Sequence, residues 1–163
     1  MEDSVSRSKP KGEGITPAGM KALEAEIEEL ETDGRRSMAA RILAARELGD
    51  LKENAEYHIA KEDQAHLETK IKNLRERRRN AVIVETEGDN TVLAFGGTAE
   101  ILDKGRNKLH TWTIVGPTEA DVSSGKLSAE SPVGAALLGR APGEEVEVRT
   151  PRGSSTFRVE NII

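Results

Sequence analysis

Between Met20 and Leu30 the apolar positions are Met20, Leu23, Ile27 and Leu30, with charged residues and alanines between them. Steps of three, four and three place all four on one narrow helical stripe, the seam pattern of a coiled coil. Thr16 supplies a side-chain oxygen for a helix N-cap, and Pro17 suits the first helical position because its missing N–H has no intrahelical partner there. Asp33 and Gly34 are expected to weaken the helix locally and to shift the phase of the seam, which resumes at Met38, Ile42 and Ala45. "ELGD" predicts the end, with Gly49 as the stop.

A second helix is predicted from about Glu53 to Arg79. Tyr57, Ala60, Gln64, Leu67, Ile71 and Leu74 alternate three and four apart. Folding the chain back at the intervening turn sets Ile27 opposite Leu74 and Leu30 opposite Ile71. Residues 15–80 then form an antiparallel helical hairpin with its tip at 49–53, and each arm of roughly 30 residues is about 45 Å long. Two helices lying on a globular body would also give apolar stripes. The narrow seam, flanked by charge on both sides, favours the hairpin.

From Ala81 the period changes. "AVIVETEGDNTVLAFGGTAEILDKGRNKLHTWTIVG" is rich in β-branched residues and broken by Gly, Asp and Asn, with turns at "GDN" and "DKGRNK". "SPVGAALLGR" reads as a short helix capped by Ser131, opened by Pro132 and closed by Gly139. "EEVEVRTPRGSSTFRVENII" reads as a hairpin around "PRG". Residues 91–163 are therefore expected to be a small α+β domain, a twisted antiparallel sheet holding one short helix, with Trp112 packed between the two. Residues 81–90 are assigned to a linker, and residues 1–14, polar with Gly, Pro and Ser, to a disordered tail.

Composition supports an elongated helical element. Four aromatics in 163 residues, one Trp, one Tyr and two Phe, are few for a large core. The net charge of -5 disfavours a sequence-independent DNA binder. The chain has no Cys, which excludes disulfides and thiol chemistry and suits a reducing cytoplasm. No apolar run approaches the roughly 20 residues needed to span a bilayer, so no membrane association is expected.

The motifs of a self-sufficient enzyme are missing: no GxSxG, no P-loop and no dinucleotide fingerprint. His58, His66 and His110 lack metal-ligand spacing, and His110 reads as a surface histidine in a strand. That leaves Asp50 and Glu53 in "GDLKENAEYH". Polar turns and helix first turns attract such residues for structural reasons. A hairpin that ends in two carboxylates could also complete a metal site lying in another molecule, since Mg²⁺ keeps waters and shares one or two carboxylates with a partner.

"ARELGDLKENAEYHIAKEDQ", Ala45 to Gln64, resembles the signature of the GreA/GreB family of bacterial transcript-cleavage factors. "FGGTAEILD" and "DVSSGKLSAESPVGAALLGRAPGEEVEVRTPRG" resemble that family's carboxy-terminal domain. The resemblance covers about Ile15 to Ile162 and leans to the GreA branch, because no broad basic stripe is present. It implies an amino-terminal coiled-coil hairpin followed by an FKBP-like domain. It also implies a cytoplasmic, monomeric accessory factor that is not itself an enzyme, with RNA polymerase and the nascent RNA 3′ end as partners. By this resemblance the hairpin enters the polymerase secondary channel and stimulates cleavage of backtracked RNA. Asp50 and Glu53 are implied to hold a second Mg²⁺ jointly with polymerase, Asp50 as ligand and Glu53 orienting the attacking water. Gly49, Leu51, Asn54 and Tyr57 are expected to support the tip. Arg46, Lys52 and Lys61 are candidates for RNA phosphate contact. Asp121, Ser131 and Pro132 are candidates for polymerase contact. "LRERRRN", Leu74 to Asn80, reads as a solvated charged face. The family's usual Arg-Pro pair in the first helix is absent from "GRRSMA", which leaves the local bend open. Two other classes remain: a channel-binding inhibitor, disfavoured by the intact acids, and a prolyl isomerase or chaperone, disfavoured by the scarcity of aromatics.

Overall fold

The computed structural model describes residues 12–85 and 90–163. The chain divides into two compact units, one of residues 20–80 and one of residues 1–19 with 81–163.

Thr16 caps helix α1 (Pro17–Glu29), its hydroxyl accepting a 3.0 Å bond from the Gly19 amide. The same hydroxyl donates 2.6 Å to one oxygen of Glu119, while the Thr16 amide donates 2.6 Å to the other. A π-helical turn, Leu30–Gly34, joins α1 to α2 (Arg35–Arg46) without a break. The seam explains this turn. From Leu30 it steps to Gly34, Met38 and Ile42, three successive fours. An ideal α-helix would drift roughly 120° over those twelve residues, and one wide turn absorbs most of that drift. Gly34 thus occupies a seam position: a Cβ there would sit 3.5 Å from Leu67.

Helix α3 (Ala55–Asn80) returns antiparallel. Leu23, Ile27, Ile42, Ala45, Ala60, Ile71 and Leu74 are buried, and Leu30, Met38, Tyr57, Gln64 and Leu67 are half-buried. The larger aliphatic side chains are each worth about 1.5–3 kcal/mol when fully buried. Salt bridges from Arg35 to Glu68, Arg41 to Asp63, Lys70 to Glu26 and Arg75 to Glu31 run across the seam. Solvent screens exposed pairs of this kind, so they select register more than they add stability. The pairs at Glu26 and Glu31 bracket the expected facing of Ile27 and Leu30 against Leu74 and Ile71.

Two boundaries differ from expectation. Glu13 and Gly14, assigned to the tail, belong to β1 (Glu13–Ile15), and the first residues of the assigned linker form β2 (Ala81–Ile83). The two strands pair in parallel, and Ile15 is buried. Helical connections between β1 and β2 bring two short segments side by side that look unstructured when read singly. The rest of the expected tail, residues 1–11, and residues 86–89 of the linker and the "GDN" turn lie outside the described residues.

The remaining strands are β3 (Thr98–Asp103), β4 (Lys108–Val115), β5 (Lys126–Ser128), β6 (Glu145–Thr150) and β7 (Gly153–Ile162). They form one sheet in the order β5-β4-β3-β7-β6. It is not wholly antiparallel: β5 runs parallel to β4, returning through a 3-10 turn at Val122–Ser124. The sheet curls around α4 (Pro132–Leu137), which packs against both edge strands, β5 and β6. The core comprises Leu93, Ala99, Ile101, Trp112, Ile114, Leu127, Leu137, Val146, Val148, Phe157 and Val159. Trp112 lies in that core beside Phe157, and His110 stacks on it at 4.5 Å, so His110 is a half-buried flank of the core and not a free surface residue. The α+β class, a helical hairpin followed by a small curled-sheet domain, is the one expected.

Candidate functional site

Residues Glu47–Asn54 connect α2 to α3. Gly49 has φ +127°, a conformation that residues with a Cβ avoid, and it turns the chain out of α2. Asp50 follows. Its Oδ1 accepts a 3.1 Å bond from the Lys52 amide, a local turn that fixes the direction of the carboxylate. Leu51 is 43% exposed, so it packs little within the chain. Glu53 is exposed, and among the described residues neither it nor Asp50 has an ion-pair partner. The expected helix start at Glu53 falls two residues early, because Asn54 caps α3 by accepting from the Tyr57 amide at 3.1 Å. Asn54 Nδ2 donates 2.6 Å to the Ala45 carbonyl at the end of α2, which also accepts from the Leu48 amide at 3.2 Å.

Tyr57 is half-buried on the seam, with the Arg46 guanidinium 5.8 Å from its ring centroid. This contact holds Arg46 on the face of the hairpin beside the turn. His58 packs edge-on to Tyr57 at 5.7 Å, and its Nε2 lies 3.4 Å from the Lys52 carbonyl. Sequence reasoning weighed His58 only as a metal ligand and missed this bracing role. The signal was its place one residue after Tyr57 within the tip motif. The Lys52 ammonium is exposed and unpaired among the described residues, and Lys61 donates to Gln64 Oε1 at 3.1 Å.

The structure thus gathers Arg46, Gly49, Asp50, Leu51, Lys52, Glu53, Asn54 and Tyr57 at one end of the hairpin, with Lys61 further along α3. Glu47, Asp50, Glu53 and Glu56 outnumber Arg46 and Lys52 there, so the end is locally negative and draws cations. The carboxylates are hard oxygen donors of the kind Mg²⁺ takes, yet two fall short of an octahedral set. Among the described residues no group of three or more His, Cys, Asp and Glu could hold a metal. The donor set fits an ion shared with a second molecule.

The other candidates lie in the sheet unit. Asp121 caps the 3-10 turn, accepting from the hydroxyl and amide of Ser123 and from the hydroxyl of Ser124. The Ser123 hydroxyl first, then that of Ser124, holds its carboxyl below the ordinary aspartate value. Ser131 accepts from the Gly134 amide at 3.1 Å and donates to the Ser128 carbonyl at 2.6 Å, with Pro132 exposed at the first position of α4.

The chain matches known protein families along most of its length. The family model described as "Transcription elongation factor, N-terminal" matches residues 14–83, and that described as "Transcription elongation factor, GreA/GreB, C-term" matches residues 88–163. The chain belongs to the GreA/GreB family of transcription elongation factors. It is 46% identical over 149 residues to the transcription elongation factor GreA of Roseiflexus castenholzii, covering 91% of this chain and 95% of that one. It is 41% identical over 149 residues to GreA of Oceanobacillus iheyensis, covering 91% and 94%. Among solved structures, the GreA factor homolog 1 protein of Thermus thermophilus aligns with a TM-score of 0.41 at 30% identity, covering 92% of this chain and 97% of that one. Among the described residues no helix is long and apolar enough to cross a membrane.

Proposed function

We propose that this chain binds RNA polymerase through the secondary channel and stimulates the polymerase's own cleavage of backtracked RNA, so that arrested elongation resumes. The observation that carries this reading is the exposure of Asp50 and Glu53, three residues apart in one short turn and paired with no cationic side chain among the described residues. Structural carboxylates are usually paired, whereas these two are left for something outside the molecule.

In this reading Asp50 would help hold a Mg²⁺ bound mainly by the polymerase, and Glu53 would orient the attacking water. A second metal ion in phosphodiester hydrolysis supplies charge stabilisation and helps generate the nucleophile. Asn54, Tyr57 and Gly49 order the backbone of the turn that carries the two acids, which lowers the ordering cost when the tip enters the site. Arg46 and Lys52, in and beside the turn, would contact the phosphates of the extruded RNA, with Lys61 further along α3. Asp121 and Pro132 are exposed, and with the half-buried cap Ser131 they would contact the channel rim. The chain supplies carboxylates to a reaction centre elsewhere and is not itself the enzyme.

The test is a stalled, backtracked polymerase carrying labelled RNA in Mg²⁺ buffer. Added protein should shorten the transcripts and restore elongation. Slower elongation with no shortening would replace this reading with that of a channel-binding inhibitor.

A further inference from the structure

The chain as a whole carries a net charge of -5, yet one end of the sheet is positive. Asp103, the last residue of β3, pairs with Lys108 at the start of β4 and with Phe157 near the start of β7. The Lys104 amide donates 3.0 Å to the Thr156 carbonyl, and β7 is entered from β6 through the turn before Gly153. The β3–β4 and β6–β7 turns therefore leave the sheet at the same end. Lys104, Arg106, Lys108, Arg149 and Arg152 lie there, all exposed. Lys104 pairs with Glu145, and the other four have no ion-pair partner among the described residues. Acids do not offset them. Asp103 is buried, its Oδ1 accepting from the Gly105 and Arg106 amides, Glu145 is already paired, and Glu147 is left as the one exposed, unpaired acid beside them.

We propose that this end of the sheet binds the phosphate backbone of duplex DNA, as an auxiliary contact that does not read sequence. Charge is the first argument: three of the four unpaired cations are arginines, whose planar fork matches a phosphate with two hydrogen bonds. Spacing is the second. Strands in a sheet lie about 4.8 Å apart, so β3 and β6, which flank β7, are separated by about 10 Å. A duplex carries one phosphate per roughly 1.7 Å of axis, about six over that span, and twice the density of a single strand. Both turns are also held in advance, one by the Asp103 carboxylate and the other by the Thr150 hydroxyl, which donates 2.9 Å to the Gly153 carbonyl. Single strands are held by base stacking, and no ring is offered here: Trp112 and Phe157 belong to the core, and His110 is half-buried against Trp112. An acidic protein partner would need apolar anchors, and Leu109 is the one exposed large apolar side chain on these two hairpins. The net charge of the whole chain keeps the contact weak, in the range of sequence-independent binding. The surface belongs to the sheet unit and does not depend on the polymerase reading.

The test is a nuclear magnetic resonance titration of the full chain, labelled with nitrogen-15, with a short mixed-sequence DNA duplex at low salt. Amide shifts should concentrate at residues 104–109 and 149–154. If the four unpaired cations each neutralise one phosphate, the logarithm of the association constant falls by about 3.6 per tenfold rise in salt. Arg106→Gln with Arg152→Gln should halve that slope and weaken binding about a hundredfold at 50 mM salt. Both positions are exposed in turns, and unchanged shifts for the core residues Ile101, Trp112 and Val159 show that the sheet is intact. Parallel titrations use single-stranded DNA and polyglutamate at matched charge, and both should bind more weakly than the duplex. Tighter binding of the single strand, or equal binding of polyglutamate, would overturn the proposal. So would shifts centred on Arg77 to Arg79 or on the hairpin tip, an unaltered salt slope in the double variant, or no shifts at all.

Discussion

The Asn54 side-chain amide donates a 2.6 Å hydrogen bond to the Ala45 carbonyl, tying the last turn of α2 to the first turn of α3. With the Tyr57 amide bonded to its Oδ1, one residue closes the turn from both sides. Asn54→Ala loses the cap and leaves the Ala45 acceptor without this partner, and caps alone are worth about 0.5–2 kcal/mol. Denaturant titration should show that loss. Hydrogen exchange should speed up at Tyr57 and His58, whose amides bond the Asn54 side chain and carbonyl. Transcript cleavage should fall although both acids remain.

Two glycines in the hairpin should respond oppositely to alanine. Gly49 is at φ +127°, and a methyl group added there would meet nothing within 4 Å, so the cost of Gly49→Ala is backbone strain alone, about 1–3 kcal/mol. Gly34 has ordinary helical angles, φ −61° and ψ −50°, and its Cβ would meet Leu67 at a comfortable 3.5 Å. Gly34→Ala should therefore raise stability by about 0.5–1 kcal/mol through helix propensity. Thermal unfolding of both variants checks the pair.

Glu119 is the outside cap of α1. A Cβ at Gly19 would lie 2.2 Å from its carboxyl carbon, so the glycine leaves room for the carboxylate. Glu119→Ala strips partners from the part-buried Thr16 amide and hydroxyl, a cost of about 1–3 kcal/mol for groups left unsatisfied. Gly19→Ala should destabilise too, against the usual helix preference. If Gly19→Ala were stabilising in denaturant titration, the close contact with Glu119 would be wrong.

The Arg35 to Glu68 pair gives the hairpin a pH dependence. The hydrogen bond from Arg35 lowers the Glu68 carboxyl below its ordinary value of 4.5, and Glu68 raises Arg35 further above a range in which it is already always charged. A depressed carboxyl contributes stability that is complete above the unfolded value and is lost as pH falls through the folded one. Hairpin stability should be flat from neutral pH down to about 5 and decline below the glutamate range. Glu68→Gln should flatten part of that decline in an acid titration followed by circular dichroism.

Much of this organisation was legible in the residues. Thr16, Pro17, Ser131, Pro132 and the "PRG" turn act locally, and local hydrogen-bonding chemistry is what a single sequence displays. The seam at Leu23, Ile27, Ile71 and Leu74 was legible because periodicity is a property of one helix at a time. The local weakening at Gly34 and the shift of the seam there were legible, but the room for a Cβ beside Leu67 was not, because it depends on the other helix. Strands β1 and β2 were missed for the same reason: three-residue segments carry little pattern of their own and are ordered by a partner far along the chain. The tip acids stood out as residue types in a turn, but their lack of cation partners required the fold.

The central claim concerns the tip acids, and its most direct test compares the parent with Asp50→Asn and Glu53→Gln on backtracked polymerase. Both variants should compete with the parent for polymerase at unchanged concentration. Each should cleave roughly a hundredfold more slowly, the rate equivalent of losing about 2.7 kcal/mol of transition-state stabilisation. Cleavage by both variants at the parent's rate, with binding intact, would contradict the account.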